Sequence, residues 1–184
     1  ATGQTQYVNL CFDETCEIVI NGASNVSPFS CGMAQVPVHN GAIPVNTHYT
    51  NGKLHMNNVE IKLPTSSFMC DNKAMTRDFQ KSLKADAHPF VTLYFNHLVL
   101  PTSLELKNSQ RNVPALIYFQ IAGVRKAYKV VFSKVDLRAD ILIINGSINM
   151  AMSDFGIKPP SALFGMIQAE DKIRVDFILR FCVS

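Results

Sequence analysis

Residues 172–181 read Lys-Ile-Arg-Val-Asp-Phe-Ile-Leu-Arg-Phe. Ile173, Val175, Phe177, Leu179 and Phe181 alternate there with Lys172, Arg174, Asp176, Ile178 and Arg180. Successive side chains of a strand point to opposite faces, so a period of two with apolar and charged members describes a strand with one buried and one wet side. Looser alternation runs through Val91, Leu93 and Phe95, through Phe119 and Ile121, through Tyr128, Val130 and Phe132, and through Ile148, Met150 and Met152. Many amphipathic strands at short spacing point to an antiparallel β barrel or sandwich.

Turn signals support this. Asn-Gly occurs at Asn21-Gly22, Asn40-Gly41, Asn51-Gly52 and Asn145-Gly146. The pair favours φ > 0 at both central positions of a type I′ turn, the geometry that reverses a twisted strand. Gln35 to His39 turns at Asn40-Gly41 into Ala42 to Tyr49, which turns at Asn51-Gly52 into Lys53 to Leu63, and a meander follows. One segment breaks the β pattern. After Asp71 or Asn72, either of which can cap a helix, Met75, Phe79 and Leu83 recur every four residues as one apolar stripe. Lys81 and Lys84 suit the negative end of the helix dipole, and Pro89 stops the helix. Its stripe either plugs one end of a barrel or simply joins the core.

The chain fits one domain over residues 1–184, and at that length it can bury roughly 70% of its unfolded surface. Apolar residues make up 47% and charged residues 17%, which suggests an interior larger than a filled core needs. Scattered basic residues and a net charge of +3 argue against nucleic acid, which requires a concentrated basic face. Arg125-Lys126 with Lys129 reads as an exposed turn and strand edge. No apolar run approaches the ~20 residues of a spanning helix, so a transmembrane segment is not expected. The start at Ala1-Thr2-Gly3-Gln4 fits a chain trimmed by a signal peptidase, and export is the expectation, although a sequence cut at an arbitrary point would look the same.

Five cysteines, Cys11, Cys16, Cys31, Cys70 and Cys182, leave at least one unpaired within a monomer. None forms Cys-x-x-C or a second matched pair, so buried thiols or one or two exported disulfides fit better than zinc or haem. No catalytic motif is present. Gly22-Ala23-Ser24-Asn25-Val26 lacks the second glycine of a nucleophile elbow, and phosphate loops, dinucleotide fingerprints and His-Glu-x-x-His are missing. A turn at Asn51-Gly52 sets His48 opposite His55, either a solvated pair or two ligands of a metal. Asp154 and Glu170-Asp171 read as turn positions whose oxygens cap backbone N–H groups.

The run Gly146-Ser147-Ile148-Asn149-Met150-Ala151-Met152-Ser153-Asp154-Phe155-Gly156-Ile157, followed by Pro159-Pro160 and Ile173-x-Val175-x-Phe177, resembles the closing motif of the YceI-like domain family. Ile20 to Val26 resembles the opening Gly-x-Ser-x-Val segment, Met75 to Leu83 the family's helix, and His88-Pro89-Phe90-Val91-Thr92-Leu93 its Pro-x-Ile-x-Phe strand. Phe119 to Lys126 resembles its Leu-Thr-Ile-His-Gly-Val-Thr strand and turn, with Ala122-Gly123-Val124-Arg125 where the family has His-Gly-Val-Thr. Gly32 to Tyr49 has no match in the family pattern.

The resemblance implies a mainly β fold: an extended, lipocalin-like antiparallel barrel of about eight strands with one α-helix and a short C-terminal helical turn. It further implies a periplasmic or secreted bacterial protein that carries or stores a polyisoprenoid, such as a quinone tail or polyprenyl phosphate, or another long-chain lipid. No cofactor, metal or catalysis is implied; a homodimer is left open. The alternative is a filled barrel that is structural or binds a protein partner and takes no small ligand. The residues expected to touch lipid are the helix residues Phe79 and Leu83 and the inward members of the strands. These are Val91, Leu93 and Phe95; Phe119 and Ile121; Val130 and Phe132; Ile148, Met150 and Met152; and Ile173, Val175 and Phe177.

Overall fold

The computed structural model describes residues 4–10, 17–33, 42–51, 53–101, 111–138, 141–162 and 164–183. In chain order these form β1 (Gln4–Leu10), β2 (Glu17–Ala23), β3 (Pro28–Met33), β4 (Ala42–Thr50) and β5 (Lys53–Pro64). A 3₁₀ turn (Thr65–Ser67), β6 (Met69–Cys70) and α1 (Lys73–Ser82) lead into β7 (Phe90–Pro101), β8 (Val113–Ile121), β9 (Val124–Arg138) and β10 (Ile141–Ala151). A second 3₁₀ turn (Met152–Phe155), the short hairpin β11 (Ser161–Ala162) and β12 (Ile167–Gln168), and β13 (Lys172–Val183) complete the chain.

The principal sheet is antiparallel and strongly curled. Strands β1, β4, β5, β7, β8, β9, β10 and β13 neighbour one another in that order, and β1 returns to β13 through Val8–Val183, Asn9–Cys182 and Leu10–Phe181. At the other end, β2 takes the edge of β13 that β1 leaves, pairing from Arg174 to Ile178, and β3 and β6 extend the sheet beyond it. The last pair between β4 and β5 is Asn46–Asn57, so among the described residues β5 from Asn58 to Pro64 pairs only with β7. The wall is thus joined at one end and split at the other, a half-barrel.

Local chemistry sets several of these elements. Thr50 pairs with Lys53 and Asn51 has φ 51, as the Asn-Gly signal there predicts. A second two-residue turn joins β8 to β9, where Ile121 pairs with Val124 and Ala122 and Gly123 have φ 51 and 83. Asn21-Gly22 and Asn145-Gly146 are not turns; they lie inside β2 and β10. A Cβ on Gly22 would fall 2.3 Å from Phe29 Cζ, and one on Gly146 would fall 2.4 Å from Phe177 Cζ. Both glycines lie opposite those phenylalanines in register and leave room for the rings, which overrides the turn tendency. The signal at Asn40-Gly41, and the strand expected over Gln35 to His39, lie outside the described residues.

Asn72 caps α1 by accepting the Met75 N–H at 2.8 Å. The helix ends at Ser82, with Leu83 as C-cap and Lys84 at φ 54, rather than continuing toward Pro89. Gln80 Nε2 donates to the carbonyls of Ser66 and Phe68 at 3.1 and 3.2 Å, and Cys70 N–H donates to Thr76 Oγ1 at 2.9 Å. A disulfide joins Cys31 of β3 to Cys70 of β6, immediately before the helix. No described helix is long and apolar enough to cross a membrane.

Candidate functional site

The split end gathers four connections: residues 24–27, 65–89, 122–123 and 152–171. The closed end is packed, with Met56, Val135, Leu142, Ile144 and Phe181 buried there. Between the two ends lies an apolar cavity that opens to solvent. Its lining on β13 runs from Ile173 to Leu179, a span of seven residues or roughly 20 Å of strand.

The walls come from alternate strand positions. Val91, Leu93 and Phe95 of β7, Phe119 and Ile121 of β8, Ile148 and Met150 of β10, and Ile173, Val175 and Phe177 of β13 all line the cavity. Phe79 and Leu83 cover it from α1, and Met152 borders it from the 3₁₀ turn rather than from a strand. Val130 and Phe132 are the exceptions. Both are buried, but neither is among the lining residues. Phe132 packs its ring 6.2 Å from Phe95 and 6.0 Å from Phe177, so it backs the cavity floor. Alternation shows that a side chain points inward and not how far along the barrel it lies.

Other lining residues were missed by the sequence reading. Ile117 and Leu179 continue the parity of named neighbours, and Ile18 and Ile20 alternate with Val19 in β2, so periodicity held their signal. Phe29, Phe68, Phe155 and Ile157 belong to short elements and turns and carry none.

Chemically the lining is inert. Among the described residues no Asp, Glu, His, Lys, Arg, Cys or Tyr belongs to it, and the one hydroxyl there, Ser82 Oγ, donates to the Asp78 carbonyl at 2.9 Å. The cavity therefore offers an apolar chain a dry wall and offers a charged group nothing. Titratable groups stand behind it. Tyr128 stacks on Phe155 at 6.0 Å, meets Phe119 edge-on at 5.9 Å and donates its hydroxyl to Asp154 Oδ2 at 2.6 Å. Lys126 Nζ lies 3.7 Å from the other Asp154 oxygen. Asp171 accepts the Ser153 N–H at 2.8 Å and the Ser153 hydroxyl, fixing the 3₁₀ turn against the cavity. Asp171 is thus the backbone cap expected of it, whereas Asp154 serves Tyr128.

Burial, reinforced by the hydrogen bond to Asp154, holds the Tyr128 hydroxyl well above the ordinary tyrosine range. A raised folded-state pKa keeps its proton bound in the native protein while the unfolded chain loses it. Stability from this group is therefore complete below about pH 10 and is lost as pH rises above that value. Denaturant midpoints measured from neutral pH to strongly alkaline pH should fall more steeply for the wild type than for Tyr128→Phe; parallel curves would show that the hydroxyl is not protected.

His48 and His55 pair across the β4–β5 hairpin, as expected, and their rings stack at 4.5 Å and 9°. Stacked imidazoles present faces rather than nitrogens to each other, and among the described residues no group of three His, Cys, Asp or Glu could hold a metal.

No protein-family model matches this sequence, and no curated protein matches it significantly. Solved structures do. BcnA of Burkholderia cenocepacia superposes with a TM-score of 0.63 over 92% of this chain and 99% of its own, at 11% identity. A polyisoprenoid binding domain from Saccharophagus degradans, implicated in plant cell wall breakdown, gives 0.61 over 98% and 100% at 10% identity. The chain has the YceI-like fold. Within that lipocalin-like fold, α1 and the Met152–Phe155 turn are the expected helix and helical turn, and both border the cavity.

Proposed function

We propose that this protein binds a long apolar lipid, a polyisoprenoid such as a quinone tail or polyprenyl phosphate, inside the half-barrel and serves as its carrier or store. The observation that carries the reading is the strand-lined cavity whose one polar side chain among the described residues is satisfied by its own helix. Each methylene buried there contributes ~0.8 kcal/mol, so ten supply about 8 kcal/mol before the cost of association. Affinity then grows with chain length and needs no charged anchor. The polyisoprenoid binding domain of the same fold supports this ligand class. The reading assigns the chain binding and no catalytic step. Export to the periplasm or beyond the cell is part of the proposal, and the Cys31–Cys70 disulfide supports it, because such bonds persist in oxidising compartments.

Val175 and Arg174 provide the test. Val175 lines the cavity, whereas Arg174 points outward, its Nε 2.9 Å from Asp176 Oδ1. Val175→Phe should sharply reduce co-purified lipid while lipid-free stability changes by less than about 1 kcal/mol, and Arg174→Phe should leave lipid content unchanged. In a solid core the added ring would instead cost ~1–3 kcal/mol. That loss, with unchanged lipid content, would favour the filled barrel, structural or partner-binding.

A further inference from the structure

We propose that the split end of the barrel docks directly on an anionic phospholipid bilayer, with apolar loop tips entering the interface and a basic helix face resting on the headgroups. The four most exposed large hydrophobic residues among those described are Phe164 (106%), Met166 (72%), Met69 (68%) and Val26 (65%). Phe164, Met166 and Val26 sit on two connections of this one end, whereas Met69 lies in β6 and pairs with Gly32 of β3. The loops are tied together there: Asn25 N–H donates to the Gln168 carbonyl, Asn25 Nδ2 donates to the Met166 carbonyl, and Gln168 N–H donates to Asn25 Oδ1. Phe164 has φ 56, a conformation that bulky residues seldom adopt, at the tip of the β11–β12 hairpin. That hairpin follows directly from Pro160, which borders the cavity.

The charge distribution complements the tips. Lys73, Arg77 and Lys81 recur at i, i+4 and i+8 and form one exposed stripe on α1, and exposed Lys84 follows its C-cap. The opposite face of the same helix carries Phe79, which covers the cavity. No ion pair engages any of the four cations among the described residues. Of the acidic groups at this end, Asp71 accepts the Ser30 N–H, Asp154 and Asp171 are held as described above, Asp78 borders the stripe three residues before Lys81, and Asp86 and Glu170 lie outside the helix. Three apolar side chains on two loop tips make no broad patch for a protein to cover, but each can enter a fluid interface, and the cations meet anionic headgroups. Docked this way, the cavity mouth faces the membrane.

This goes beyond the carrier reading and is tested apart from it, by flotation of the full chain with vesicles of phosphatidylcholine alone or mixed equally with phosphatidylglycerol. The wild type should float with the anionic vesicles and release at high salt. Lys73→Gln, Arg77→Gln and Lys81→Gln combined should lower partitioning roughly a hundredfold. Phe164→Ser with Met166→Ser should lower it about tenfold, while the wall variant Leu116→Ser with Val131→Ser should match the wild type. Failure of the wild type to float, or equal flotation of all variants, would overturn the proposal, as would a protein partner occupying the tips of a chain that ignores vesicles. A wild type that floats yet yields no extractable lipid supports docking and removes the carrier reading alone.

Discussion

Phe132→Ala should destabilise the protein by about 3–5 kcal/mol while leaving it able to retain lipid. Phe132 is 0% exposed and lies behind Phe95 and Phe177, the two rings that line the inner end of the cavity. Truncation removes the transfer free energy of the ring and leaves a void that the curled sheet cannot fully collapse, and two aromatic contacts are lost with it. The void adjoins the cavity, so the chamber deepens and its mouth is unchanged. Equilibrium denaturation gives the stability loss, and extraction gives the lipid content. A loss below about 1 kcal/mol would show that the floor is not packed, and a loss of lipid with stability intact would place Phe132 in the binding wall.

The double variant Cys31→Ala, Cys70→Ala should cost a comparable amount. The disulfide closes a loop of 39 residues, which in the chain-entropy model corresponds to about 4 kcal/mol. The loop contains β4, β5 and the 3₁₀ turn, and its closure fixes β6 to β3 at the side where β5 lacks a second strand partner among the described residues. Because Cys70 directly precedes α1, the variant should also loosen the helix that covers the cavity. Thiol counting under denaturing conditions checks the bond. With two of five cysteines joined, no more than three thiols should react before reduction. Five reactive thiols, or an unchanged denaturation midpoint in the variant, would contradict this account.

Much of this architecture was legible from period and turn chemistry, because those signals act locally. The alternation of Ile173 to Phe181 defines β13, the Asn51-Gly52 turn brings His48 to His55, and the stripe of Phe79 and Leu83 behind the Asn72 cap defines the cavity-facing side of α1. What escaped depends on distant partners. Gly22 and Gly146 become strand residues because Phe29 and Phe177 need their space, which no local window contains. The split wall is hidden for a similar reason: β1 and β2 share one edge of β13, and only three-dimensional pairing shows which segment closes the ring. Depth along the axis is equally invisible, so Phe132, inward by parity, was grouped with residues that border the cavity. Phe68 and Phe155 reach it from turns, where no period exists to mark them.

The central claim is that the cavity holds one long apolar chain, and the lipid-to-protein ratio of freshly purified protein tests it most directly. Organic extraction followed by mass spectrometry should yield a polyisoprenoid in about equal molar amount to the protein, because a chain buried along a roughly 20 Å apolar wall is released too slowly to be lost in purification. Lipid far below stoichiometry in the wild type, with no uptake when polyprenyl lipid is supplied to the folded protein, would contradict the account and leave the half-barrel without a small ligand.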